Sequence, residues 1–122
     1  MMKPEPERRR FRRLWAEGTA VLSIGGSDYA APLVDLSLKG ALVGRPAGLA
    51  LAVEAPAALV ITLGSDGPRI AMDARIAHVD ANSLGLCWQH IDLDSISELR
   101  RFVELNLGDG EVLDRELRQL FS

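Results

Sequence analysis

The sequence is poor in aromatics, cysteine and histidine, and it lacks long apolar runs. Aromatic residues make up 5% of the 122 positions, so a core has to be built mainly from Ala, Val, Leu and Ile. The single cysteine, Cys87, excludes an internal disulfide. It lies in an apolar, strand-like run and reads as a buried thiol of a cytoplasmic protein, with no catalytic or metal role. His78 and His90 have no cysteine or carboxylate at metal-ligand spacing, which argues against a zinc or iron site. No serine sits in a nucleophile elbow, and no glycine-rich phosphate loop is present. Asp92 and Asp94 form a carboxylate pair, but their place ahead of a helical pattern reads as helix N-terminal acids. Without a catalytic set the expectation is a binding module and not an enzyme, with no cofactor and no metal. The longest apolar runs, such as Ala57–Leu63, are far shorter than a membrane span needs. The charged opening residues have no apolar stretch after them, so they do not read as a secretory leader.

What the chain does have is one domain's worth of residues and an uneven charge. The length suits a single core. Residues 1–13 hold Lys3, Arg8, Arg9, Arg10, Arg12 and Arg13 against Glu5 and Glu7, a balance of +4. The whole chain is −3, which leaves −7 for the rest. An acidic body repels a long phosphate backbone, so DNA and RNA are poor partners. A small, dense anion held at one point suits this distribution better.

Along the chain, Thr19 to Ile24 reads as a strand, and Gly25-Gly26-Ser27-Asp28 is a hairpin turn signal. The return strand is Tyr29 to Leu36, with Pro32 pointing to an edge or a bulge. A short strand at 40–44 and a loop at 45–56 follow. Ala57–Leu63, Arg69–Val79 and Leu84–His90 are further strands; Ile70, Met72, Ala74 and Ile76 alternate inward, and His78 continues that same face. Several short strands with regular turns predict a barrel or a sandwich. After Ile91 the period changes. Ser95-Ile96-Ser97-Glu98 has capping-box spacing with Asp94 before it. Ile96, Leu99, Phe102 and Val103 then recur at helical spacing. Gly108-Asp109-Gly110 breaks that helix, and Val112, Leu113, Leu117, Leu120 and Phe121 stripe a second one. Trp15 and Trp88 read as packing residues.

Two motifs stand out. Arg8-Arg9-Arg10-Phe11-Arg12-Arg13 contains Arg9-x-x-x-Arg13, and Asp35-Leu36-Ser37-Leu38-Lys39-Gly40 is D-x-S-x-x-G. Each alone is unremarkable: the first could be a solvated basic tail, the second a turn in which Asp and Ser bond backbone amides. In this order, with a hairpin between them, they resemble the PilZ signature RxxxR followed by [D/N]xSxxG. The resemblance extends over nearly the whole chain. It implies a six-stranded antiparallel split β-barrel with C-terminal helices and no catalytic activity, across 1–122. The expected parts are a disordered lead-in at 1–7, an arginine arm at 8–13, a barrel at 18–90 and helices at 94–121. The implied ligand is cyclic di-GMP. The segment from Gln89 to Gly108 is similar to a subgroup of single-domain receptors thought to engage a chemotaxis receptor methyltransferase when loaded.

The chemistry of that ligand suits the motifs. Arginine forks onto phosphate or onto guanine O6 and N7, and its plane stacks on a base. Asp35 can accept from guanine N1–H and the exocyclic amine. Ser37 adds a polar contact, and Gly40 allows close backbone approach. By resemblance Arg9 and Arg13 are the motif arginines. Arg8 sits where an arginine accompanies an intercalated pair of ligand molecules, and Arg10 is a further candidate. His78 falls where relatives carry an aromatic that touches the ligand. One departure is Leu14-Trp15, where many members have a proline. Two other readings stay open: a degenerate PilZ-fold interaction module, and a nucleic-acid-binding barrel. The complete motifs weigh against the first, and the acidic body and lack of stacking aromatics beside the basic run against the second.

Overall fold

Period-two alternation of apolar residues sets the strands. In Pro56–Leu63 the side chains of Ala57, Leu59 and Ile61 are buried while Ala58 and Val60 are exposed, and in Arg69–Val79 the buried set is Ile70, Met72, Ala74 and Ile76. A computed structural model describes residues 11–108 and 110–120 of the chain. Among these lie seven strands: β1 Leu14–Trp15, β2 Gly18–Ile24, β3 Ser27–Ser37, β4 Gly40–Gly44, β5 Pro56–Leu63, β6 Arg69–Val79 and β7 Ser83–Ile91. Two helices follow, α1 Leu93–Leu107 and α2 Gly110–Leu120. All pairings are antiparallel, in the order β1-β3-β2-β5-β6-β7-β4. A further β3–β4 pairing closes six of the strands into a barrel, with β1 as an extra strand on β3. Closure removes the open edges that an unpaired sheet would expose.

The β2–β3 turn is Gly25-Gly26, with φ of 61° and 87°. Positive φ at both central residues is what a type I′ turn requires, one of the two-residue turns matched to strand twist, and glycine adopts it without strain. The core is aliphatic: Leu22, Leu36, Leu38, Leu59, Ile61, Ile70, Ile76 and Leu84 are fully buried. Its buried apolar side chains are Ala, Val, Leu, Ile and one Met, Met72, as the scarcity of aromatics requires.

Two bulges decide which side chains face outward. In β3, Leu33 pairs with Val43 but Asp35 pairs with Leu42, so Val34 is an extra residue. The alternation flips there. Leu36 and Leu38 enter the core, and Asp35 and Ser37 turn to the outer face. In β6, Ile76 pairs with Leu86 and His78 with Gly85, leaving Ala77 extra. His78 therefore does not follow Ile76 inward; its side chain is 47% exposed. The expectation of a shared face fails because the bulge shifts the pleat by one residue.

The helix start also differs from the capping-box reading. Asp92 is the N-cap, its Oδ1 accepting from Ser95 N–H at 2.6 Å. Ser95 lies inside the first turn, and its hydroxyl oxygen accepts from Ala71 N–H at 2.9 Å, tying α1 to β6. An acid three residues ahead of a serine offers the same local chemistry as serine itself, and the strand partner decided between them. Gly108, with φ of 73°, ends α1 in the left-handed region. Leu99 and Val103 bury one face of α1 in the barrel, and Leu113 anchors α2. Residues 1–7 and Phe121 lie outside the described residues.

Candidate ligand-binding site

The outward row created by the bulges forms an open depression where β3, β4, β7 and β6 run side by side. Pairing aligns Ser37 with Gly40, Gly40 with Cys87, Asp35 with Leu42, Leu42 with Gly85, and Gly85 with His78. These residues, together with Arg13 and Lys39, line a shallow depression of about 130 Å3 that is open to solvent. Five residues expected from the sequence thus meet in one place: Arg13, Asp35, Ser37, Gly40 and His78. Arg8, Arg9 and Arg10 lie outside the described residues.

The floor is made of two glycines. A Cβ built at Gly40 would strike the carbonyl oxygen of Leu86 in β7, and one at Gly85 would strike the imidazole of His78. Gly40 is therefore demanded by the close approach of β4 to β7; it is not among the glycines with positive φ. The missing side chain at Gly85 leaves room for the His78 ring against β7. His78 Nε2 is 3.5 Å from Asp80 Oδ2, an ion pair whenever the imidazole carries a proton.

The turn Leu38-Lys39 between β3 and β4 is fastened from three sides. The Ser37 hydroxyl oxygen accepts from Lys39 N–H at 3.2 Å. Trp88 Nε1 donates to the Leu38 carbonyl at 2.8 Å, and Trp88 N–H donates to the Lys39 carbonyl at 3.1 Å. Lys39 Nζ stands 5.3 Å from the centroid of the Trp88 ring, where the ring's negative face attracts a cation. Sequence reasoning missed Lys39, which occupies a variable place inside the second motif. It also read Cys87 as a buried thiol, whereas Cys87 is half-buried on the wall of the depression. The site combines cations at Arg13 and Lys39 with a carboxylate at Asp35. Such a pairing suits a ligand that is anionic in one part and a hydrogen-bond donor in another. Among the described residues no group of His, Cys, Asp and Glu is placed to hold a metal ion.

A family model for the PilZ domain matches residues 7–105. The chain belongs to the PilZ family. The match begins ahead of the arginine run and ends within α1, so both motifs lie inside it. Solved PilZ-containing structures share the fold. The inhibitor of motility MotI/DgrA of Bacillus subtilis superposes with a TM-score of 0.66 at 16% identity, over 98% of this chain and 57% of its own length. YcgR of Escherichia coli in complex with c-di-GMP gives 0.66 at 21% identity, over 92% of this chain and 48% of YcgR. The PilZ domain of CeSA from a cellulose-synthesizing bacterium gives 0.57 at 22% identity, over 75% and 94%. This chain spans about half the length of the first and second of these proteins.

In this PilZ chain the base of the arginine run also touches the C-terminal helix. Arg12 N–H donates to Glu116 Oε2 of α2 at 2.9 Å. Glu116 is only 1% exposed, and its Oε1 finds no hydrogen-bond partner among the described residues. Burial pushes its carboxyl pKa above the usual 4.5, against the opposing pull of the Arg12 amide and of the charges on Arg12 and Arg115. This contact joins two elements separated by 104 positions in sequence, and the sequence offered no signal for it.

Proposed function

We propose that this PilZ chain is a cyclic di-GMP receptor that changes conformation on binding and passes the signal to a protein partner. The observation that carries the reading is the single depression in which Arg13, Asp35, Ser37 and His78 converge at the foot of the arginine run. PilZ domains are ligand-binding receptor domains, and the structural match to YcgR in complex with c-di-GMP supports the ligand class. In this reading Arg9 and Arg13 fork onto phosphate or guanine, and Asp35 accepts from the guanine N1–H and amine. Ser37 holds the Leu38-Lys39 turn in place for its neighbours. His78 covers one side of the bound ligand, and Arg10 contributes charge from the arm.

The finer reading is that Arg8 supports an intercalated pair of ligand molecules, that the whole chain acts as one PilZ domain in the cytoplasm, and that the partner is a chemotaxis receptor methyltransferase. Calorimetric titration with cyclic di-GMP, GMP and a short oligonucleotide tests the core of it. Saturable binding of cyclic di-GMP alone is expected, at two molecules per chain, falling toward one in Arg8→Leu. Arg13→Ala should weaken binding about tenfold or more, as loss of charge-assisted hydrogen bonds does, with circular dichroism unchanged. Absence of cyclic di-GMP binding by the wild-type chain would remove the receptor reading.

A further inference from the structure

Trp15 was expected to pack, yet it presents 83% of its surface to solvent, more than any other large apolar side chain among the described residues. An indole left in water forgoes the burial that normally places tryptophan in a core or an interface. Its neighbours show what it faces. In the β1–β3 ladder Trp15 pairs with Asp35 and Leu14 with Leu36. Ala16 N–H donates to the Val34 carbonyl at 3.1 Å, which makes 16 and 34 a hydrogen-bonded pair. Hydrogen-bonded and non-hydrogen-bonded pairs alternate in an antiparallel ladder, so Trp15 and Asp35 form the closer kind, with Cα atoms about 4.5 Å apart. Directly opposed side chains stand on the same face of the sheet. Leu14 points the other way and packs against the core. The indole therefore rises beside the Asp35 carboxylate, on the face that Arg13 shares two residues earlier.

We infer that Trp15 is a stacking platform for the guanine whose edge Asp35 reads, a ligand-contacting residue outside both sequence motifs. The inference rests on the proposed function. A carboxylate that accepts from guanine N1–H and its amine engages only the edge of the base and leaves both π-faces bare. An aromatic ring on the adjacent strand, standing on the same face, covers one of them and removes it from water. Arg13 then reaches the phosphate side of the same nucleotide. Stacking does not distinguish purines, because every base has a π-face. Trp15 thus contributes affinity, and Asp35 contributes the choice of base.

The test is titration of wild type, Trp15→Ala and Trp15→Phe with cyclic di-GMP and cyclic di-AMP, with tryptophan fluorescence followed in parallel. Trp15→Ala should bind cyclic di-GMP about tenfold or more weakly, the loss expected from one stacking partner. Its preference for cyclic di-GMP over cyclic di-AMP should be unchanged, and its circular dichroism should match wild type because the side chain is exposed. Trp15→Phe should keep affinity within about threefold, since a phenyl ring still stacks. The ligand-induced fluorescence quenching of wild type should largely disappear in Trp15→Phe. Equal affinity for wild type and Trp15→Ala would overturn the inference and leave Trp15 as a protein-docking residue. A Trp15→Phe variant as weak as Trp15→Ala would overturn stacking in favour of the indole N–H. No binding by wild type would instead overturn the receptor reading, and this inference with it, and that failure is read on the wild-type chain alone.

Discussion

At the scale of single residues, Asp35 and Glu116 are both buried carboxylates, and their surroundings set them apart. Asp35 is 8% exposed on the wall of the depression, beside Arg13, Ser37 and Lys39. A carboxylate that reads guanine must keep an acceptor oxygen. Asp35→Asn retains one and Asp35→Ala none. Comparing cyclic di-GMP with cyclic di-AMP on the two variants should show selectivity reduced in Asp35→Asn and lost in Asp35→Ala. Selectivity that survives Asp35→Ala would make the residue a turn element only. Glu116 lies against the Arg12 amide, with its carboxyl held above the usual 4.5 chiefly by burial. The folded chain thus keeps this proton to a higher pH than the unfolded chain does. Stability from this group is fully present below about the unfolded value and is lost as pH rises through the raised folded value. Glu116→Gln keeps an oxygen for Arg12 N–H and removes the titration. Its melting temperature should exceed that of wild type at neutral pH, and the difference should shrink as pH falls toward 4.5. A difference that does not change with pH would mean that the carboxyl is not desolvated as described.

At the scale of elements, the β4–β7 pairing and the Leu38-Lys39 turn carry the site. At Gly40 β4 lies close against β7, and the obstacle to a Cβ there is the backbone at Leu86, which cannot swing aside as a flexible side chain could. Gly40→Ala should therefore act on the barrel, destabilising it by roughly 1–3 kcal/mol as overpacking does. Ser37→Ala removes one hydrogen bond from the turn and should leave the melting temperature within a few degrees of wild type while weakening ligand binding. Thermal melts and titrations of the two variants together check this. Equal melting temperatures for Gly40→Ala and wild type would return Gly40 to a role at the ligand alone. The turn is held from β7 by Trp88, whose indole N–H and backbone N–H bond consecutive carbonyls. The D-x-S-x-x-G motif is thus half of a device whose other half lies some fifty residues away, at Trp88.

At the scale of the whole molecule, the arginine run enters the barrel at β1, borders the depression through Arg13 and meets α2 through Arg12. Five arginines in the six positions from Arg8 to Arg13 repel one another, and in the proposed function the two phosphates of cyclic di-GMP would relieve that repulsion while supplying acceptors. A ligand shifts a conformational equilibrium only by binding one state better, and an arm closed over the ligand makes contacts that a free arm does not. Cyclic di-GMP should accordingly slow hydrogen exchange of the amides from Glu7 to Arg13. Because Arg12 N–H is bonded to Glu116, the exchange of α2 should change as well. Equal protection of the arm with and without ligand would place the switch elsewhere.

The sequence by itself determined the strand and helix periods, the two-glycine hairpin, the aliphatic core and both motifs, because these depend on residues close together in the chain. Tertiary structure decided what depends on distant partners. Extra residues at Val34 and Ala77 became visible only through their pairing with β4 and β7, and they turned Asp35, Ser37 and His78 to one outer face. The choice of Asp92 over Ser95 as helix cap followed from Ala71 claiming the serine hydroxyl. Two tryptophans with the same local reading parted ways: Trp88 found two carbonyls and a lysine to hold, and Trp15, on a two-residue strand across the ladder from Asp35, stayed exposed. Local propensity places a residue on a strand, but the strand it is paired with sets which way the residue faces and what it can reach.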